Sequence, residues 1–224
     1  MVGLGVNQDF FKIWSPEMAY VLGFFCADGA MTINPCGSKY LDFDITDKDL
    51  LLKIKRCLNA HQIITRRNHN KGKDSYRLQI GSKKIFNDLL IMGLTPKKTF
   101  RFNMPFVPTS LFSHFVRGYF DGDGCILRVI LHKERKTQTI SLRTVFTSGN
   151  KKFLQELAFL LNQTINITGF FANSKQTTQL IYSVKPSLSL YQFMYNDIDS
   201  FLYLERKKAI FERYINEAGV AQPG

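Results

Sequence analysis

Two stretches of the chain, VLGFFCADG from Val21 and VRGYFDGDG from Val116, are versions of one string. Aligned on Asp28 and Asp123, each has a glycine five positions before the aspartate and another immediately after it. A repeat placed half a chain apart predicts two copies of one supersecondary unit. The first copy is a nearly unbroken apolar run, the pattern of a buried helix, and the second also ends an apolar run, yet each finishes on a carboxylate. Ser15 and Pro16 suit an N-cap and first helical position ahead of the first run, and Gly29 suits a left-handed residue that stops a helix. Asp28 then stands at a helix carboxyl end, where the backbone dipole is already negative and a further negative charge costs about 0.3–1 kcal/mol. The same placement made twice points to something cationic at those positions.

Helical spacing puts Ala19, Gly23 and Ala27 on one face, and Phe115, Gly118 and Gly122 on the matching face of the second copy. Small residues let helix backbones approach closely. If the copies pack on each other, Asp28 and Asp123 end side by side, and two carboxylates so placed repel unless a divalent cation lies between them. Either Asp-Gly alone reads as an ordinary turn; the matched pair reads as a site. Neither copy has the glycine and lysine spacing of a dinucleotide fingerprint or a phosphate-binding loop.

The segments downstream of the two copies repeat as well. After Gly29 the pattern predicts strands over 30–33 and in YLDFDIT, where Leu41, Phe43 and Ile45 alternate with Asp42 and Asp44, then a helix over 48–59. Strands in QIITRRN and DSYRLQIGS and a helix over 84–92 close the unit. The second half predicts strands over 126–131 and 140–146, a helix over 151–161, strands over 165–172 and 179–184, and helices over 187–195 and 204–217. Hairpins interrupted by helices give an α+β fold of two pseudo-symmetric repeats, residues 1–102 and 111–224, joined by the proline-containing linker 103–110.

Thirty Lys and Arg against eighteen Asp and Glu give a net charge of +12, which favours a polyanionic partner. The basic residues cluster between apolar strands, as TRRNHNKGK and HKERKTQ, and nucleic acid is the expected partner rather than a membrane surface. The four cysteines lie far apart, without the spacing of a zinc site or disulfide framework, and read as reduced structural thiols. No secretory signal is visible, and a soluble intracellular protein is expected.

With these residues in view, the pair resembles the double-motif LAGLIDADG homing endonucleases. The resemblance extends from about Ser15 to Tyr214 and takes in TPKKTF, FVRGYFDGDG and LERKKAIF. It implies a monomer with two αββαββα repeats, motif helices at the central interface, and saddle-shaped antiparallel sheets against the major groove of double-stranded DNA. It further implies cleavage across the minor groove of a long asymmetric target, with short 3′ overhangs. Asp28 and Asp123 match the family's metal-binding acids, and the backbone carbonyls of Ala27 and Gly122 are additional candidate ligands. The implied cofactor is Mg²⁺, with Mn²⁺ able to substitute and Ca²⁺ supporting binding without cleavage. Lys98 and Lys207 match the active-site lysines by position, with Lys97 and Lys208 as adjacent competitors. Asp47 and Ser148 fall near the water-organising position. The first motif departs from the family by placing Cys26 where the second has Asp121.

In strands, period two leaves one face outward. The outward candidates for reading bases are Arg66, Asn68, Arg77 and Gln79 in the first half and Arg128, His132, Arg143 and Gln179 in the second. Lys71, Lys73, Lys133, Arg135 and Lys136, at turns, suit phosphate. Asp42 and Asp44 would accept from cytosine amino groups or sit off the DNA. An RNA-splicing maturase or a catalytically inactive DNA-binding protein on the same scaffold is the alternative reading.

Overall fold

The structure, a computed structural model, describes residues 5–68, 74–96, 103–131, 134, 139–173, 176–196 and 201–218. The chain forms two compact units, Met1–Gly122 with Ser200–Leu202, and Asp123–Asp199 with Tyr203–Gly224.

The first unit opens with α1 (Pro16–Asp28). Ser15 caps it by accepting from the Met18 N–H at 3.1 Å, and every residue from Met18 to Cys26 is buried. A helix apolar all round is thereby covered all round. Then come β1 (Gly29–Ile33), β2 (Lys39–Ile45), α2 (Lys48–Cys57), β3 (Ile64–Arg67), β4 (Ser75–Gly81) and α3 (Lys83–Ile91). The strands form one antiparallel sheet in the order β1-β2-β4-β3. Leu41, Phe43, Leu78 and Ile80 bury its inner face beneath Leu51 and Ile54 of α2 and Phe86 of α3. The Phe25 ring of α1 meets Phe43 edge-on at 5.2 Å. Residues 103–108 carry no helix or strand, and a 3₁₀ turn (Thr109–Leu111) leads into α4 (Phe112–Asp123), whose residues as far as Gly122 belong to this unit. Sequence repeat and compact unit are thus different divisions: α4 opens the second repeat and packs in the first unit.

The second unit repeats the plan with β5 (Gly124–Leu131), β6 (Thr139–Ser148), α5 (Lys151–Ile165), β7 (Phe170–Asn173), β8 (Thr178–Tyr182), α6 (Val184–Tyr195) and α7 (Glu205–Glu217). Its sheet has the matching order β5-β6-β8-β7. Leu142, Phe146, Leu180 and Tyr182 face Phe153, Leu154 and Leu157 of α5. Among the described residues no helix is long and apolar enough to cross a membrane, and the four cysteines are free thiols.

Three local expectations are corrected. Gly29 is extended, at φ −77° and ψ 157°, not left-handed. Helix α1 turns straight into β1, and glycine is required there because a Cβ would lie 2.1 Å from the Phe25 ring. Helix α5 runs on to Ile165, where Asn166 ends it in the left-handed region (φ 51°), so β7 starts at Phe170 and not at 165. Val184 begins α6 instead of ending β8, since Pro186 fits the first helical turn.

Candidate functional site

Helices α1 and α4 meet backbone to backbone inside the first unit. A Cβ on Gly23 would lie 2.1 Å from the Phe115 carbonyl oxygen, and one on Gly118 would lie 2.0 Å from that of Tyr20. A Cβ on Gly122 would approach the Ala27 Cβ to 2.3 Å. Only glycine permits this approach, and it explains the shared glycine of the two strings. The interface also holds polar groups. The Tyr20 hydroxyl donates to Asp121 Oδ2 at 2.7 Å, and Arg117, 1% exposed, donates from Nε to the Leu202 carbonyl at 3.0 Å. The Arg117 guanidinium also lies over the Tyr20 ring at 5.6 Å and 2.8 Å from His114 Nδ1.

Each helix then ends on its aspartate. Asp28 is exposed and Asp123 half-buried. Lys207 of α7 is 5% exposed and donates from Nζ to the Gly124 carbonyl at 2.6 Å, one residue beyond Asp123. Its neighbour Lys208 is turned to Glu212 (3.3 Å) and the Tyr203 ring (5.3 Å). The structure therefore separates this pair: Lys207 is the lysine brought to the end of the second motif. Among the described residues no group of three or more His, Cys, Asp or Glu is placed to hold a metal ion.

Strand register sorts the proposed base readers. In the first sheet Asp42 lies opposite Gln79, Asp44 opposite Arg77, and Thr65 opposite Arg77, so these share the outward face. Arg66 pairs with Tyr76 and lies on the other face, where its Nε donates to Asp74 at 2.8 Å. The outward arginine of β3 is Arg67, which donates to Asp44 at 2.8 Å and was missed in the sequence. Asn68 follows β3 outside the sheet. Asp42, 7% exposed, accepts from Arg77 Nε at 2.6 Å, Gln79 at 3.0 Å and Thr32 at 2.9 Å. In the second sheet Arg143 and Gln179 are on the outward face. Arg128 is on the inner one, paired with Leu142, and reaches Glu217 of α7 at 2.8 Å. Both misplaced arginines sit where long side chains run past the core edge to a surface carboxylate. Lys71, Lys73, Lys97, Lys98, His132, Lys133, Arg135 and Lys136 lie outside the described residues.

The profile of the LAGLIDADG-like domain matches residues 15–90 and 113–185, one match for each repeat. The chain belongs to the LAGLIDADG family. It is of the double-motif type, with both copies in one chain. No curated protein matches the sequence significantly. Among solved structures, the LAGLIDADG meganuclease I-AabMI bound to uncleaved DNA aligns at TM-score 0.62 and 14% identity, over 92% of this chain and 91% of that one. The homing endonuclease I-WcaI bound to its DNA recognition sequence aligns at TM-score 0.59 and 19% identity, over 93% and 94%. I-SmaMI bound to an uncleaved DNA target in the presence of calcium ions aligns at 0.63 and 13%, over 93% and 92%. At these identities the likeness shows the shared fold.

Two features distinguish this LAGLIDADG chain within its own repeat. Cys26 stands at the position of Asp121, and the structure supplies the reason: Asp121 takes the Tyr20 hydroxyl, whereas the residue at Tyr20's place in the other copy is Phe115, which has none. The missing carboxylate and missing hydroxyl are one change seen from both ends. Arg117 occupies the place of Leu22, and the only sequence signal for its buried role was a charge inside an apolar run. Asp47 and Ser148 serve local capping, accepting from the Leu50 N–H at 3.0 Å and the Asn150 N–H at 3.1 Å.

Proposed function

We propose that this chain is a divalent-metal-dependent endonuclease that cuts double-stranded DNA as a monomer at a long asymmetric site. The observation that carries the reading is the pair of motif helices, locked at Gly23, Gly118 and Gly122, each ending on an aspartate, Asp28 exposed and Asp123 half-buried. The net charge of +12 and the DNA-bound state of the similar I-AabMI and I-WcaI structures support it.

The donors suit a hard cation: Asp28 and Asp123 offer carboxylate oxygens, with the Ala27 and Gly122 carbonyls as further candidates, and Mg²⁺ commonly takes one or two carboxylates and fills its octahedron with water and phosphate. Such an ion supplies an activated water and neutralises charge on the phosphate and the leaving 3′ oxygen. The protein's own part is to hold the acids. The close helix contact fixes where α1 and α4 end, and Gly29 lets α1 pass into β1 without displacing Phe25. Lys207, held on the Gly124 carbonyl, keeps a positive charge beside the second motif, where it stabilises developing negative charge on the phosphate. The outward faces of the two sheets contact the major groove, with Arg77, Gln79, Arg143 and Gln179 as base readers.

The reading is tested by selecting cleaved duplexes from a random library with Mg²⁺. Asp28→Asn and Asp123→Asn should each lower cutting of the selected target by about a thousandfold while retaining binding, and Ca²⁺ should support binding without cutting. Undiminished cutting by both variants, or full activity in EDTA, overturns it.

A further inference from the structure

The outward face of the second sheet differs in kind from that of the first. Register across four strands brings Cys125, Val145, Ile181 and Phe170 into one row, and Leu127 and Val129 continue it along β5. Leu127 is 44% and Phe170 51% exposed, whereas Val145 is only 4% exposed. The row is therefore a trough with apolar rims. The same face of the first sheet carries Asp42, Asp44, Arg67, Arg77 and Gln79. Among the described outward residues of the second sheet there is no carboxylate, and the one full charge is the exposed Arg143, opposite Leu127 in register.

A face with one positive charge, neutral polar side chains at Ser141, Thr147 and Gln179, and an apolar row between Arg143 and Gln179 fits a polyanion that presents apolar groups beside its hydrogen-bonding edges. In the DNA major groove one natural group answers that description, the C5-methyl of thymine; the remaining base edges are hydrogen-bond donors and acceptors. We infer that the second sheet reads thymine methyls through the rims at Leu127 and Phe170, with Arg143 and Gln179 as its polar contacts on either side of the row, so that the target half on this sheet is thymine-rich. The first sheet, with its network around Asp42, discriminates by hydrogen bonding instead. This rests on the DNA-cutting reading above and specifies the composition of one half of its target.

Replacing thymine by uracil removes the methyl and leaves every hydrogen-bonding group in place. The experiment takes a selected target, substitutes dU for dT in one half at a time, and measures binding by fluorescence anisotropy in Ca²⁺. Substitution in one half is expected to weaken binding about fourfold for each buried methyl, and in the other half to have no effect. The Leu127→Ala, Phe170→Ala double variant, altered only at exposed positions, should keep its melting temperature and lose the penalty. Equal tolerance of dU in both halves overturns the inference alone, as does a penalty that persists in the variant. A dimer dispersed by the variant with DNA affinity unchanged also overturns it, by assigning the face to a second copy of the chain. Failure to retain any duplex overturns the DNA reading and the inference with it.

Discussion

At the scale of single residues, the departure from repeat symmetry is a matched pair. Asp121 is buried and accepts from Tyr20 across the α1–α4 interface. A carboxylate at position 26 would face the place of Phe115, without that donor. Tyr20→Phe is expected to cost about 1–3 kcal/mol by withdrawing a donor from a buried carboxylate. Cys26→Asp alone should destabilise by a similar amount, and adding Phe115→Tyr should restore part of the loss. Urea denaturation of the four members of this cycle measures the coupling, expected to be favourable and about 1–2 kcal/mol. Additivity of the two substitutions would show that the second hydroxyl and carboxylate do not meet. None of this was visible in the strings themselves, because the partner of each residue lies on the other helix; the sequence showed the asymmetry at Cys26, and packing showed its complement.

Elements were legible where their causes are local. Ser15-Pro16 and the alternation through Leu41, Phe43 and Ile45 depend on neighbours in sequence and placed α1 and β2 within a few residues; the N-caps at Asp47, Ser82 and Asn150 are equally local but emerged only with the structure. Face assignment failed at Arg66 and Arg128 because residue type was allowed to outvote parity: a basic side chain was taken as outward, while period two puts it with Tyr76 and Leu142. The Arg128 contact has a consequence for α7. Glu217 lies in the last turn of that helix, where the dipole disfavours an anion, and is held by Arg213 at 2.8 Å and Arg128. Hydrogen bonds from Arg213 and then Arg128 lower its carboxyl below the ordinary 4.5. A carboxyl lowered on folding stabilises above its unfolded value and loses that contribution as pH falls through the folded one. Glu217→Gln should therefore be less stable than the parent at pH 7, with the gap closing below about pH 4.5. Thermal melts of both proteins from pH 7 to pH 3 check this; a gap constant with pH would mean that the ion pairs do not hold α7 to β5.

At the scale of the whole chain, a charge of +12 does not by itself say where the polyanion lies. The outward face of the first sheet is close to neutral, since Asp42 holds Arg77 and Asp44 holds Arg67. Its arginines are thereby kept from gripping phosphate indiscriminately, and a base edge must offer more than the carboxylate to draw them away. On the proposed DNA-cutting reading, non-specific affinity would come chiefly from basic residues elsewhere in the chain, and this face would contribute discrimination. Asp44→Asn removes the partner of Arg67, whose side chain is 45% exposed and free to swing to a phosphate once released. The variant should bind random duplex more tightly at low salt, and the slope of log K against log salt should steepen by about one unit, the signature of one further phosphate neutralised. Anisotropy titrations on a random duplex from 50 to 200 mM salt, about the range over which such contacts weaken most visibly, measure both quantities. An unchanged slope would place Arg67 off the DNA, and with it the face of β3 that it shares with Thr65.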